Sequence, residues 1–293
     1  MKLTVLIIGC GDIGITLGRE LIAEGHRVVG VRRNIAALKN TGIEPLKLDL
    51  NELEEAGASA LPQADYVIYS VSADRFEESA YQSAYPDGLK NVLSVMEQHD
   101  KPPRRVFFVS STSVYGQQEG EEVNEDSPIG PTSFSGKLMY EAEQTLLNHP
   151  LPGTVVRFSG IYGPGRDRLI HQVAEGRLAA VTPVIYSNRI HRDDCTGILA
   201  HLIRCQEKGQ PIADLYLGSD CEPVTLHNVM AWIAKQLKVE STDTMQSPLR
   251  RRASKRCNNQ RILETGYEFS YPSYREGYAQ ILKEGGFLEV QKA

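Results

Sequence analysis

Residues 3–14 read LTVLIIGCGDIG, an apolar run followed at once by three glycines. The run predicts a buried strand over 3–8, and the glycines predict a turn that opens directly into a helix. A tight turn needs Gly9, the close approach of a diphosphate to the backbone needs Gly11, and Gly14 lets the helix pack on the strand. The helix N-terminus adds N–H donors and a positive dipole. The stretch therefore predicts a dinucleotide-binding turn.

The same alternation of strand and helix continues along the chain. Short, often β-branched apolar runs bounded by Gly, Asp, Pro or Ser predict buried strands at 27–31, 44–48, 66–71, 106–110 and 154–158. Between them, apolar residues recur at three- to four-residue spacing, as in Ile13, Leu17 and Leu21, which is typical of helices. Strand–helix–strand alternation predicts an α/β fold, a doubly wound parallel Rossmann sheet with right-handed crossovers.

The rhythm changes after about residue 160. We interpret residues 1–160 as the dinucleotide-binding Rossmann domain and 161–293 as mainly a smaller, C-terminal substrate-binding lobe. A strand is predicted at 179–186, and the chain is predicted to return to the main sheet near 184–206. Helices are predicted in this half at about 169–175, 193–206, 226–238, 259–265 and 274–283.

Composition excludes several classes of protein. The chain has 293 residues and a formal charge of −5, and this mild acidity argues against a nucleic-acid partner. No apolar run is long enough for a membrane helix, so no membrane partner is predicted. The five cysteines are odd in number and lack metal-ligand spacing, which predicts reduced thiols, no metal site and a cytoplasmic location.

The end of the second predicted strand bears on the choice of coenzyme. An NAD site usually places a carboxylate there, whereas this chain has Arg32 and Arg33. A guanidinium suits a 2′-phosphate, so NADP(H) is favoured over NAD(H), which stays open as the alternative. Arg33 can equally be a solvated side chain, with Arg32 alone facing the adenosine.

Further along, Asp49 and Leu50 follow the third strand and are predicted at the adenine edge, although Asp49 can equally cap the next helix. The predicted coenzyme-binding residues are Gly9, Gly11, Asp12, Ile13, Gly14, Arg32, Arg33, Asp49, Leu50 and Ser70.

Later motifs carry a family resemblance. Residues 107–116 read FFVSSTSVYG, residues 154–165 read TVVRFSGIYGPG, and residues 190–194 read IHRDD. Together with the glycine turn, these segments resemble the extended (atypical) short-chain dehydrogenase/reductases of the NAD-dependent epimerase/dehydratase family. The resemblance covers most of the chain and implies a Rossmann fold, a nicotinamide coenzyme and an oxidoreductase or isomerase activity.

One part of that pattern is missing. In the family, a Tyr-x-x-x-Lys pair on the helix after the fifth strand carries the proton chemistry, because lysine lowers the tyrosine pKa. Aligning Gly136 and Glu143 with the family pattern places Ser135 at the tyrosine position and Met139 at the lysine position. A thioether carries no charge, so the resemblance implies that the usual pair is absent. Lys137 and Tyr140 lie three apart in the reverse order and do not replace it.

Two catalytic residues are predicted from what remains. Ser111 stands where the family holds its substrate-orienting hydroxyl, and Tyr115 is the nearest phenol along the chain. Tyr115 can equally be structural, and the same choice stays open for Tyr162 and for His191. Tyr85 stands where the family often has an Asn that holds an active-site water, which is a second departure.

Basic residues near the C-terminus complete the candidates. In relatives that use nucleotide-linked sugars, such residues hold the diphosphate; the alternative is a solvated loop. They are Arg250, Arg251, Arg252, Lys255, Arg256 and Arg261.

The leading hypothesis is an NADP-preferring oxidoreductase or epimerase that acts on a hydroxyl or carbonyl of an anionic, sugar-nucleotide-like small molecule. The alternative is a catalytically silent NADP(H)-binding sensor or scaffold. Relatives often pair through helices near 84–98 and 136–148, so a homodimer is predicted, and the apolar faces of these helices can equally belong to the core.

Overall fold

A computed structural model describes residues 2–240, 243–245 and 254–288. The strands are β1 Thr4–Ile8, β2 Arg27–Arg32, β3 Glu44–Lys47, β4 Tyr66–Tyr69, β5 Arg105–Ser111, β6 Glu121–Val123, β7 Gly153–Phe158, β8 Gly160–Tyr162, β9 Arg177–Ala179, β10 Tyr186–Ser187, β11 Arg189–His191, β12 Leu215–Gly218, β13 Val224–Thr225, β14 Asp243–Met245 and β15 Lys255–Cys257. The helices are α1 Asp12–Ala23, α2 Leu53–Ala56, α3 Glu78–Gln82, α4 Gly88–Glu97, α5 Phe134–Leu147, α6 Arg168–Ala174, α7 Arg192–Glu207, α8 Leu226–Leu237, α9 Gln260–Leu263 and α10 Tyr274–Glu284.

A seven-stranded parallel sheet organises the first half of the chain. Its strand order is β12-β7-β5-β4-β1-β2-β3, so the order reverses between β1 and β4. The four residues of β4 are all buried, as are nearly all those of β1, because helices cover both faces. The predicted doubly wound Rossmann sheet is confirmed, and six of its strands match the predicted runs to within two residues at each end. Open sheets of this kind bind ligands where the strand order reverses.

The structure corrects the sequence interpretation in two places. The edge strand β12 was not predicted, because its short apolar run of Leu, Tyr and Leu before a glycine is hard to distinguish from a loop. The strand predicted at 179–186 is interrupted. Only its ends pair, through β9 with β14 and through β10 with β13, while Val181 and Val184 between them are exposed.

The chain divides into two compact units, and neither is continuous in sequence. The first unit comprises residues up to 114, 131–157 and 196–216, and the second comprises 115–130, 158–195 and the residues from 217 onward. This division differs from the predicted 1–160 and 161–293. Residues 115–130 belong to the second unit because β6 pairs with β15. The chain returns to the first unit at 196–216, through most of α7 and the start of β12, and this segment overlaps the predicted return near 184–206.

A buried ion pair lies inside the first unit. Glu143 on α5 is fully buried and Arg157 on β7 is 2% exposed. The Arg157 guanidinium donates through Nε to Oε1 at 2.9 Å and through Nη2 to Oε2 at 2.6 Å. The Ser110 hydroxyl donates to the same Oε1 at 2.5 Å. Such a fork of bonds offsets the cost of removing both charges from water, so the helix is fixed in one position against the sheet.

A buried carboxylate has a similar role in the second unit. Asp194, near the start of α7, is fully buried. It accepts hydrogen bonds from the Tyr267 hydroxyl at 2.9 Å, from the Ser270 amide at 2.8 Å and from the Tyr271 amide at 3.0 Å. Burial raises its pKa, although these donors favour the charged form. The last aspartate of the IHRDD motif therefore anchors the segment that leads into α10.

Helices α4 and α5, which correspond to the segments predicted to pair in a homodimer, bury apolar residues within the chain. Helix α4 buries Leu89, Val92 and Met96, and α5 buries Leu138 and Leu146, all within a single chain. Their apolar residues thus serve the core, which was the alternative for these faces. A homodimer stays a prediction. Among the described residues, no helix is long and apolar enough to cross a membrane, and the five cysteines are free thiols.

Candidate coenzyme and active site

The turn after β1 is held by its own backbone. The amides of Gly9 and Cys10 both donate to the Val31 carbonyl, at 3.0 and 3.1 Å. Gly9 has φ +76°, and a Cβ there would lie 2.6 Å from the backbone of Val71, which follows β4. Only glycine meets both conditions. The turn therefore lies against the loop after β4, where the order of the sheet reverses.

The next two glycines differ in what surrounds them. A Cβ on Gly14 would approach Ile7 to 2.9 Å, so this glycine allows α1 to pack on β1. A Cβ on Gly11 would meet only the Gly9 carbonyl, at 3.8 Å, so the space in front of the turn is open. Helix α1 starts at Asp12, followed by Ile13, and no side chain caps it. An open turn at an uncapped helix N-terminus fits a coenzyme diphosphate.

The two arginines after β2 have different surroundings. Arg32, which is half-buried, donates through Nη1 to the Cys10 carbonyl at 3.3 Å, and it pairs in register with Lys47 of β3. Arg33 is more exposed and forms an ion pair with Asp74, with Nη2 and Oδ1 2.5 Å apart. Neither arginine is simply a solvated side chain. Sequence inspection missed Asp74, because it lies forty-one positions away in a loop with no motif.

The other predicted coenzyme residues also lie at the carboxyl ends of the strands. Asp49 accepts a hydrogen bond from the Asn51 amide at 3.1 Å and caps the short 3-10 turn that begins at Leu50. This is the capping role that the sequence left open, and it does not exclude contact with an adenosine. Ser70 follows β4, and its hydroxyl donates to the Gly9 carbonyl at 3.2 Å. Ser70 therefore braces the glycine turn from the neighbouring strand.

The helix that would carry the family's Tyr-x-x-x-Lys pair is α5. Ser135, at the tyrosine position, is 9% exposed, and its hydroxyl lies 3.0 Å from that of Ser133, which caps the helix. Met139, at the lysine position, is 6% exposed and packs in the core. Lys137 is exposed and points away from this buried face. Ser111, the last residue of β5 in the first unit, accepts a hydrogen bond through its hydroxyl from the Ser113 amide at 3.2 Å.

Tyr115 begins the part of the chain that belongs to the second unit. Its side chain is 1% exposed, and its hydroxyl donates to the Asn124 carbonyl at 2.8 Å. The Lys255 ammonium lies 5.9 Å from the centre of its ring, a cation–π arrangement. Proton transfer from Tyr115 would require this hydrogen bond to change partner. Its catalytic role stays a prediction.

Tyr162 and His191 pack together in the second unit. Their rings lie edge to face with centroids 5.3 Å apart, and Tyr162 stacks on Tyr278 at 4.7 Å. His191 is fully buried, and its Nδ1 accepts from the Asp193 amide at 3.2 Å. Burial lowers the pKa of His191 to about 4 and raises that of Tyr162. These surroundings match the structural role left open for both residues.

A buried carboxyl of the second unit was not found from the sequence. Asp220 is 1% exposed, and burial raises its pKa to about 8, although Arg189 opposes that rise. Its only sequence signal is an Asp after a short apolar run. Among the basic candidates, Arg250, Arg251 and Arg252 lie outside the described residues. The others contact protein groups: Lys255 the ring of Tyr115, Arg256 the Gly120 carbonyl and Arg261 the Asp126 carboxylate.

Solved structures resemble this chain along almost its whole length. A structure from Methylobacillus flagellatus, provisionally assigned as an NAD-dependent epimerase/dehydratase, is 35% identical with a TM-score of 0.79 and covers 97% of this chain and 99% of its own. The human epimerase family protein SDR39U1, solved with NADPH, has a TM-score of 0.77 at 20% identity and covers 96% of this chain and 99% of its own. MoeE5, solved with UDP-glucuronic acid and NAD, has a TM-score of 0.77 at 22% identity, with coverages of 94% and 96%. The last two likenesses show the fold alone.

Sequence comparison gives the family. Protein YeeZ of Escherichia coli is 29% identical over 284 residues, covering 92% of this chain and 96% of YeeZ. Human SDR39U1 is 23% identical over 296 residues, covering 94% and 97%. The model of the NAD dependent epimerase/dehydratase family matches residues 5–192, from β1 into the IHRDD motif, where it ends at Arg192. The glycine turn, the sheet and these matches agree, and the chain belongs to the NAD-dependent epimerase/dehydratase family.

Proposed function

We propose that this protein binds NADPH in preference to NADH at the turn formed by residues 9–14. The observation that carries the proposal is the open space in front of Gly11, beside a strand end that bears Arg32 and Arg33 where an NAD site would have a carboxylate. Asp12, Ile13 and Gly14 would offer the first amides of α1 to the diphosphate, and Asp49, Leu50 and Ser70 would border the adenosine side. The human relative solved with NADPH supports this choice of coenzyme.

Arg32→Asp tests the coenzyme preference. The wild-type protein is expected to bind NADPH at least about tenfold more tightly than NADH, since charge-assisted bonds to a phosphate contribute roughly 1.5–3 kcal/mol. The substitution is expected to shrink or reverse this ratio, because a carboxylate repels the 2′-phosphate and accepts hydrogen bonds from ribose hydroxyls. Titration calorimetry with both coenzymes measures the ratio. Equal affinities in the wild type would refute the argument from Arg32.

For the reaction, we propose oxidoreductase or epimerase chemistry on a hydroxyl or carbonyl of an anionic small molecule, a sugar nucleotide being the first class to try. The coenzyme would supply hydride transfer. Ser111, at the carboxyl end of β5, would orient the reacting oxygen, and Tyr115 would be the first candidate for the proton. MoeE5, with its UDP-sugar ligands, supports the substrate class. The free thiols support a cytoplasmic location.

One observation favours a second function. Met139 is packed in the core at the position where the family has its lysine, and Ser135 is paired with another serine. Neither can lower the pKa of a phenol or take a proton at neutral pH. A protein that keeps the coenzyme turn but lacks this pair would suit a silent sensor or scaffold that reports the level of NADP(H).

A substrate panel separates the two functions. Sugar nucleotides are incubated with NADP+ and small ketones with NADPH, and absorbance follows hydride transfer while product analysis detects epimers. If turnover is found, Ser111→Ala and Tyr115→Phe are each expected to lower kcat at least about tenfold, a typical effect for an orienting or proton-transfer group, with NADPH affinity unchanged. Unaltered turnover in either variant would remove that residue from the mechanism. Coenzyme binding without any turnover would favour the silent protein.

A further inference from the structure

The ion pair between Arg33 and Asp74 lies at the coenzyme side of the sheet. Arg33 is the first residue after β2, and Asp74 lies in the loop between β4 and α3, the same loop that contacts Gly9 through Val71. Nη2 of Arg33 and Oδ1 of Asp74 are 2.5 Å apart, and each side chain is 57% exposed. The hydrogen bond to Asp74 is the main reason that the pKa of Arg33 is raised. One of the two guanidinium groups expected at a 2′-phosphate is thus already bound to a carboxylate.

Arg32 provides the contrast within the same site. Among the described residues, the hydrogen bond of its guanidinium goes to the Cys10 carbonyl, at 3.3 Å, and leaves its charge uncompensated by a carboxylate. The two arginines therefore differ in whether they can bind a phosphate without first breaking an ion pair. Arg32 can meet a phosphate directly, whereas Arg33 must first leave Asp74.

We propose that Asp74 is a specificity-determining residue, which competes with the coenzyme 2′-phosphate for Arg33 and so moderates the preference for NADPH. This inference rests on the proposed function, because it needs a dinucleotide at the turn. NADH has no 2′-phosphate, and its binding leaves the pair between Arg33 and Asp74 intact. NADPH gains Arg33 as a second guanidinium partner, beside Arg32, only when that pair opens. The competition for Arg33 therefore lowers affinity for NADPH more than affinity for NADH.

Asp74→Asn is the direct test, since the amide keeps the shape and removes the charge. An exposed ion pair contributes up to about 1 kcal/mol, so opening it changes Kd by up to about fivefold. The ratio of NADH to NADPH dissociation constants is therefore expected to rise about three- to fivefold in the variant, mostly through tighter NADPH binding. Calorimetric titrations at low and at high salt measure both constants, and the gain should shrink as salt screens the charges.

Glu44→Gln is the matched control. It removes the same charge from another exposed ion pair, Arg27 with Glu44, which joins the starts of β2 and β3, whereas Arg33 follows the end of β2. The coenzyme ratio is expected to stay at the wild-type value in this variant. An equal rise in both variants would show that only net charge matters and would overturn the inference.

A double-mutant cycle completes the design. In an Arg33→Gln background, Asp74→Asn is expected to have little effect on the ratio of NADH to NADPH dissociation constants. The reason is that the guanidinium for which Asp74 and the phosphate compete is no longer present. A full gain in that background would mean that Asp74 acts by its own field, which overturns the inference while the proposed coenzyme preference stands. An unchanged ratio in Asp74→Asn, with both coenzymes still bound, would overturn it as well. Failure of the wild type and of both variants to bind either coenzyme would instead refute the proposed function, and this inference with it.

Discussion

Gly11→Val is expected to abolish measurable NADPH binding while the protein stays folded. In the structure, the Cβ position of Gly11 faces open space, with only the Gly9 carbonyl near it, at 3.8 Å. A branched side chain there would occupy the place of the diphosphate and keep it from the amides of α1. Losing two hydrogen bonds to a charged phosphate costs about 3 kcal/mol or more. This corresponds to more than about a hundredfold in Kd.

The measurement pairs coenzyme titration with thermal unfolding. The unfolding temperature of Gly11→Val is expected to fall by no more than about 4 °C, since a poor N-cap residue costs roughly 1 kcal/mol. Gly130→Val is the matched control, because its Cβ also faces open space but lies far along the chain from the turn. It should change neither quantity. Retained NADPH binding in Gly11→Val would mean that the glycine turn does not hold the coenzyme.

Glu143→Ala is expected to cost about 3–5 kcal/mol of unfolding free energy, the largest effect on stability that we predict. The variant leaves Arg157 charged, 2% exposed and without the carboxylate that receives its fork of donors. It also removes the acceptor of the Ser110 hydroxyl. A buried charge that loses its partner is far more costly than the pair itself is stabilising.

Urea titration followed by circular dichroism measures this loss. The exposed pair of Arg27 and Glu44 supplies the control, and Glu44→Gln is expected to cost at most about 1 kcal/mol. The double variant Glu143→Leu with Arg157→Met should regain most of the loss, since it removes both charges and keeps the volume filled. A cost below about 1 kcal/mol in Glu143→Ala would contradict the assigned role of this pair.

The sequence predicted the central fold well, because the signals of that fold are local. Each buried parallel strand is a short apolar run next to a turn residue, and Gly9, Gly11 and Gly14 lie in one six-residue segment. The absence of the Tyr-x-x-x-Lys pair could also be predicted, since Ser135 and Met139 stand next to motif residues. In these cases the relevant chemistry lies within a few positions of a recognisable pattern.

The ion pairs and hydrogen bonds that the sequence did not predict join residues that lie far apart along the chain. Asp74 meets Arg33 across forty-one positions. Asp194 meets Tyr267 across seventy-three. No periodicity reports such pairs, and their residue types are equally common on solvated surfaces. The basic C-terminal residues show the same limit, because the ion pair of Arg261 with Asp126 joins residues 135 positions apart and has no sequence signal.

The discontinuity of the first unit has a consequence for biosynthesis. Strand β12 completes the sheet next to β7, but residues 158–195 of the other unit are translated between them. Until residue 218 has left the ribosome, β7 is a bare edge with unpaired backbone groups, which is a surface prone to aggregation. A gene fragment that stops at residue 160 would leave that edge open permanently. The first unit, which carries the glycine turn, therefore cannot be produced or fused to another protein as one continuous segment of the chain.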